Sequence, residues 1–242
     1  MTILVVGATG ATGRLLVSEL LDRGRPVRVV VRDAARLDES LRGRPDLSVL
    51  EASISEMTDD GIREVVAGCA AAASCLGHNL SLRGLFGPPY RLVTDATRRI
   101  CSALQAQPGE KPRRFVLMNT TGVRNPDLGE RISVPQNVVV LALRLLLPPH
   151  ADNEAAARHL RRAIGPSHPD LEWVVVRPDG LVDHAVASEY DVHPSPTRSA
   201  IFDAGQTSRI NVAHFIASLL TDPDLWDRWK GAAPVVYNAA QP

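Results

Sequence analysis

The sequence predicts an α/β fold, a doubly wound parallel sheet with helices on both of its faces. Continuous β-branched runs that stop at glycine or at a polar turn, Ile3–Val6 and Val27–Val31 among them, read as strands buried on both faces. Between such runs the apolar spacing becomes helical, as at Leu15, Leu16, Leu20 and Leu21. Strand and helix patterns alternate in this way along the whole chain, as βαβ units do.

The elements follow in order. Ile3–Val6 is the first strand, and a helix over Ala11–Arg23 comes next, closed by Gly24. Val27–Val31, Leu47–Leu50, Ala70–Leu76 and Arg114–Asn119 are the second to fifth strands. Helical segments fit between them around Ala35–Arg42, Asp59–Gly68 and Tyr90–Gln107. Glu172–Arg177 is a sixth strand and Val235–Ala239 the last. A helix over Ala151–Ile164 has Asp152 near its start and Gly165-Pro166 just past its end, and another covers His214–Leu220. Val138–Leu147 is apolar nearly all round and reads as a buried helix or one wall of an apolar pocket. No repeat or linker divides the 242 residues, so one domain over 1–242 is expected, with a substrate region built from loops 77–89, 123–150 and 183–206. Loops that follow strands are where a doubly wound sheet holds its ligand.

Composition excludes several classes of function. Lys and Arg total 27 against 27 Asp and Glu, and aromatics are 4%, so neither the basic footprint nor the stacking surface of a nucleic-acid binder is present. Cys69, Cys75 and Cys101 form no CxxC pair and lie in apolar stretches, which reads as buried free thiols rather than a disulfide framework or a zinc site. No HExxH or GxSxG pattern occurs, and no metal is expected. The opening MTILVVGATG has no basic segment before its apolar run, and no stretch is long enough to span a bilayer. A cytoplasmic protein with a small-molecule substrate, monomeric or homodimeric, without nucleic-acid or membrane partners, is the expectation.

The run Gly7-Ala8-Thr9-Gly10-Ala11-Thr12-Gly13 carries the most specific signal. It sits between the first strand and the first helix, where the chain turns sharply and a backbone without Cβ can approach a pyrophosphate. The helix that follows offers unpaired N–H groups and the positive end of its dipole to that anion. These features predict a dinucleotide-binding domain of Rossmann type. The second strand ends Val31-Arg32-Asp33. An acid at that place accepts from the adenosine ribose of NAD, whereas an arginine can clamp the 2′-phosphate of NADP. Arg32 therefore favours NADP(H) over NAD(H).

With these residues in hand the chain resembles an atypical short-chain dehydrogenase/reductase, in the NAD(P)H-binding, NmrA-like group that includes biliverdin-IXβ and flavin reductases. The likeness is carried by GATGATG followed by VVVRD, by Ser74–Gly77, by Val116–Gly122, by VRPDGLVD over Val176–Asp183, and by Ser208–Ala213. The resemblance implies that Gly7, Thr9, Gly10, Ala11, Thr12 and Gly13 hold the pyrophosphate and Arg32 the adenosine phosphate. It implies that Ser53 and Ile54 lie beside adenine, although Ser53 departs from the family's Asp. It further implies that Leu76 and Gly77 line the ribose side, that Thr120 and Thr121 lie near the nicotinamide, and that Pro178 with its loop covers the ring.

The departure is catalytic. The family's usual Tyr-x-x-x-Lys pair is absent, and the same resemblance puts Asn153 at the lysine place and Pro149 or His150 near the tyrosine place. A tyrosine needs a nearby cation to give up its proton at neutral pH, since its ordinary pKa is about 10, and Asn153 has no charge to offer. Histidine is the default proton donor near neutrality. His150 just before the helix at 151, His78 after the fourth strand and His184 after VRPDGLVD are candidates, with Tyr190 a further one if its loop folds over the site. The resulting expectation is an enzyme, an NADP(H)-dependent oxidoreductase of a small organic substrate, polycyclic, quinone or ketone, with His150, Thr120, Thr121 and Asn153 around its reacting centre. A catalytically silent NAD(P)-binding sensor and a redox-neutral isomerase or lyase are the alternatives.

Overall fold

β-branched and small apolar runs become strands of one sheet because each is short, mostly apolar and bounded by a turn. The computed structural model describes residues 1–78, 87–107, 109, 112–130 and 134–239. Its main sheet is built from β1 (Thr2–Val6), β2 (Val27–Val31), β3 (Leu47–Glu51), β4 (Cys69–Ser74), β5 (Arg113–Met118), β6 (Leu171–Pro178), β8 (Tyr190–His193) and β10 (Val235–Asn238). Two short strands, β7 (Gly180–Val182) and β9 (Gln206–Ser208), pair with each other apart from it. The helices are α1 (Ala11–Asp22), α2 (Asp59–Val66), α3 (Leu92–Gln105), α4 (Val134–Leu146), α5 (Pro148–His159), α6 (Arg209–Thr221) and α7 (Pro223–Trp229).

Strand order is β3-β2-β1-β4-β5-β6-β10-β8, parallel except for the antiparallel β8 at the edge. The chain runs outward from β1 to β3, then returns to place β4 on the other side of β1. That reversal opens a crevice at the carboxyl ends of β1 and β4, where such sheets bind ligands. Alternation along each strand supplies two cores. Ile3, Val5, Val29 and Val174 pack against α1, α6 and α7, and Leu4, Val6, Phe115 and Trp173 against α2, α3 and α5. Fully burying one such side chain is worth about 1.5–3 kcal/mol.

Some expected elements differ. The helix expected over 35–42 is instead two 3-10 turns, Ala34–Arg36 and Glu39–Leu41. Asp33 and Asp38 accept the N–H groups of Ala35 and Ser40, and such local bonds compete with a continuous helix. Within the segment 123–150, the apolar run read as a helix over 138–147 belongs to α4, which starts earlier, at Val134, with Pro135 in its first turn, where a missing N–H costs nothing. His150 accordingly lies in the first turn of α5 rather than before it. The expected loop 183–206 contains β8, whose residues pair with β10. Of the expected loop 77–89, residues 79–86 lie outside the described residues, as do 131–133 of the segment 123–150.

Segments 123–150 and 183–206 are tied to the sheet by one buried guanidinium. Arg177, near the end of β6, is 1% exposed and spends all of its guanidinium donors. They reach Ala233 O at 2.7 Å, Val123 O at 3.1 Å, Glu130 Oε2 at 3.1 Å, Glu130 Oε1 at 2.7 Å and Pro194 O at 3.3 Å. Glu130 also accepts the Asn125 N–H at 2.7 Å. Removing one partner of a buried pair costs about 3–5 kcal/mol. Glu130→Ala is therefore expected to lower the unfolding free energy by about that amount in a urea titration. Asp203→Ala, which removes a solvent-exposed partner of Arg198, should leave the midpoint in place, and equal shifts for the two variants would contradict this assignment.

Candidate functional site

The loop between β1 and α1 is shaped by what its glycines leave out. Gly7 has φ +82°, and a Cβ there would stand 2.5 Å from Cys75 O and 2.8 Å from Leu76 N, so only glycine lets this turn rest on the exit of β4. A Cβ on Gly13 would collide with Gly7 O, so glycine also lets α1 start directly behind the loop. Gly10 differs: its Cβ would approach only Gly7 O, at 3.2 Å, and the rest of its surroundings are open. Gly10 is the N-cap of α1 and no side chain caps the helix. The first N–H groups of α1, at Ala11, Thr12 and Gly13, thus lack intrahelical acceptors beside an open glycine surface. This cradle fits the pyrophosphate of a dinucleotide by shape and by polarity.

At the end of β2 the two charged residues are used differently. Asp33 is committed to its own turn, accepting Ala35 N–H at 2.9 Å. Arg32 is exposed and has no hydrogen bond or ion pair among the described residues. Arg14, in the first turn of α1, reaches across to Asp38 at 3.8 Å, so the start of α1 and the turns after β2 share one rim. Past β3, Ser53 Oγ contacts Ser55 Oγ at 3.0 Å, and Ile54 is 8% exposed at the end of a groove between α2 and α3.

The carboxyl ends of β4, β5 and β6 bring the other expected residues together. Leu76 is half-buried and Gly77 exposed just beyond β4. Asn119 donates to Asn153 O at 3.0 Å and accepts the Thr120 N–H at 3.0 Å, joining the end of β5 to α5. The Asn153 side chain itself has no partner among the described residues. Thr121 donates its hydroxyl proton to Asp179 at 3.0 Å and its N–H to Pro178 O at 3.1 Å. The Thr120 hydroxyl accepts from Gly122 N at 3.3 Å. A Cβ on Gly122 would lie 3.6 Å from His150 Cε1, so the imidazole sits against the loop that carries both threonines.

His150 is the histidine best placed among those the sequence offers. Its Nε2 is buried without a hydrogen-bond partner and stands 3.5 Å from Glu154 Oε1, beyond a good hydrogen bond. Burial pulls its pKa below the ordinary 6.5, Arg144 adds to the lowering, and Glu154 opposes it. His78 is instead structural: its Nε2 lies 2.8 Å from the carboxylate of Asp152. Asp152 was visible in the sequence only as a helix-start residue, yet it caps a different helix. Its oxygens accept Val93 and Thr94 N–H at 2.8 and 2.9 Å, at the start of α3, which has no side-chain cap of its own. His184 is exposed, and Tyr190, a candidate only if its loop folded over the site, packs on α6 with its hydroxyl 2.8 Å from His214 Nδ1.

Beside Thr121 and Gly122 opens a cleft of about 920 Å³ between the segments that Arg177 ties down. Its walls include Arg124, Glu130, Leu141, Arg144, Glu154 and residues 195–200 with Phe202. The apolar run expected to be buried or to line a pocket is α4, which leaves Leu141 53% and Leu146 68% exposed and turns Val140 and Leu141 to this cleft.

The model of a family described as NAD(P)H-binding matches residues 7–223. Among curated proteins, the chain is 26% identical over 195 residues to an uncharacterized chloroplastic protein of Arabidopsis thaliana, covering 81% of this chain and 64% of that one. It is 35% identical over 136 residues to the chloroplastic divinyl chlorophyllide a 8-vinyl-reductase of Oryza sativa subsp. indica, covering 52% and 31%. It is 23% identical over 238 residues to the chloroplastic protein TIC 62 of Arabidopsis thaliana, covering 92% and 34%. The chain thus spans less than two thirds of the length of each of these relatives. A short-chain dehydrogenase/reductase of Veillonella parvula, solved in complex with NADP, shares the fold with a TM-score of 0.71 at 16% identity, over 99% of this chain and 95% of that one.

These relatives overturn the cytoplasmic expectation, since all three are chloroplastic by name. Neutral charge carries no compartment signal, and neither does the finding that no helix among the described residues is long and apolar enough to cross a membrane.

The glycine geometry makes a direct prediction. Gly10→Ala should fold, since its Cβ meets one carbonyl oxygen at 3.2 Å, yet weaken NADPH binding about tenfold or more by placing a methyl group where the phosphates approach. Fluorescence titration checks this, and unchanged affinity in the folded variant would contradict it.

Proposed function

The chain belongs to the NAD(P)H-binding family, and from that premise we propose that it is an NADPH-dependent reductase of a small organic substrate held in the cleft beside Thr121 and Gly122. One observation carries this reading: the glycine cradle and the cleft open on the same edge of the sheet, with His150 and the loop Thr120–Gly122 between them. Bound NADPH supplies a hydride. Everything else falls to the chain's own side chains.

In this reading Gly7, Thr9, Gly10, Ala11, Thr12 and Gly13 hold the pyrophosphate. Arg32, free of partners among the described residues, takes the 2′-phosphate, while Asp33 is occupied in its turn. Ser53 and Ile54 lie on the adenine side, and Leu76 and Gly77 on the ribose side. Thr121, fixed by Asp179, and Pro178 shape the wall against the nicotinamide. Thr120 keeps its hydroxyl beside His150, and Asn153 offers an amide in the place of a lysine. His150 gives the proton to the reduced substrate, a role supported by its buried, unpaired Nε2 and by the place of its ring against Gly122, which lines the cleft.

The missing Tyr-x-x-x-Lys pair favours a second reading, a coenzyme-binding sensor without turnover. NADPH oxidation with a panel of ketones, quinones and flavins separates the two, and no oxidation with any of them would favour the sensor.

The histidine assignment has a signed pH dependence. Because burial lowers the His150 pKa below 6.5, the ring is neutral at pH 7 and gains its proton only as the pH falls below that value. The reduction rate should therefore rise several-fold between about pH 7.5 and about pH 5.5, and His150→Gln should flatten that limb. In the same assay Arg32→Ala should lower the preference for NADPH over NADH about tenfold or more. A flat wild-type profile, or a coenzyme preference untouched by Arg32→Ala, would contradict the corresponding role.

A further inference from the structure

The charges that line the cleft do not balance within it. Glu154 is held by Arg144 in a two-point contact at 2.6 and 3.0 Å, and Glu130 by Arg177 at 2.7 and 3.1 Å. Arg198 is engaged by Asp203 at 2.7 Å. Arg124 lines the same cleft and has no ion pair or hydrogen bond among the described residues. Among the described residues the lining therefore presents one surplus guanidinium, a group whose planar fork matches a carboxylate.

The cleft is also where apolar surface is left uncovered. Leu128, Leu141 and Phe202 are 50%, 53% and 60% exposed, and all three belong to its walls. Exposed apolar side chains scattered singly need no explanation, but a group of them around one concavity marks a binding surface.

We infer that the substrate is an amphipathic carboxylate, an apolar ring or chain lying against Leu128, Leu141 and Phe202 with its carboxylate on Arg124. A monoanion matches the lining better than a phosphate dianion, because Arg124 alone is uncompensated there, Glu130 and Glu154 being paired with Arg177 and Arg144 and Arg198 with Asp203. This rests on the reading of the cleft as the substrate site and names the class of substrate that site takes.

The test is equilibrium binding, which needs no turnover. Calorimetry on the NADP-loaded protein compares 2-naphthoate, its methyl ester and 2-naphthyl phosphate in the wild type, in Arg124→Gln and in Arg124→Lys. The acid should bind about ten- to a hundredfold more tightly than the ester, and Arg124→Gln should erase that difference without changing ester affinity. Arg124→Lys should restore part of it. Failure of 2-naphthoate to bind, equal affinity for acid and ester, an acid affinity indifferent to Arg124→Gln, or tighter binding of the phosphate would each overturn the inference. NADPH oxidation, measured separately with the uncharged ketones, reports on the reductase reading independently of these outcomes.

Discussion

The buried guanidinium of Arg177 is the constraint on which the shape of the cleft depends. It sits near the end of a strand that is otherwise apolar from Trp173 onward, and it ties the segment ending at Glu130, the carbonyl of Pro194 and the turn at Ala233 to the end of the sheet. A buried ion pair of this kind often contributes little net stability compared with an apolar pair of the same volume. Its effect here is positional. Both lips of the cleft are fixed to β6, whose last residue, Pro178, together with Asp179 just beyond it, holds Thr121 in place.

A second tie does the same on the other side of the crevice. Asp152 reaches from α5 to the N-terminus of α3 and to His78 beyond β4, so α5 cannot shift without breaking contacts to two neighbours. His150 lies two residues before Asp152 in the same helical turn, and its ring position against Gly122 follows from that tie. The glycine loop is fixed by a third close approach, that of Gly7 to the exit of β4. Cradle, imidazole and cleft are thus all held to the carboxyl edge of one parallel sheet, which gives the NAD(P)H-binding family assignment a mechanical basis in this chain.

What could be read from the sequence was local. GATGATG between a strand and a helix is a pattern whose physical reasons lie within a few residues, and in the structure Gly7 and Gly13 stand where a Cβ would collide with backbone. Alternating strand and helix periodicity likewise predicted the main sheet's strands along the chain, except β8. The clamp from Arg177 to Glu130 and the capping of α3 by Asp152 join residues 47 and 58 or 59 positions apart, and nothing in the spacing of either pair announces them. An arginine within the otherwise apolar run Val174–Pro178 was the one available signal, since a charge is tolerated there only with its donors satisfied. The replacement of a helix over 35–42 by two capped turns shows the opposite limit, since two aspartates outweighed helical spacing there.

The central claim is that this chain passes a hydride from its coenzyme to a carbon atom of a molecule lying in the cleft. The most direct measurement is mass spectrometry of the products formed from NADPH dideuterated at C4, incubated with the protein and a panel of ketones and enones. The account predicts a product that carries a single non-exchangeable deuterium. Tight binding of NADPH with no deuterium in any product would contradict it.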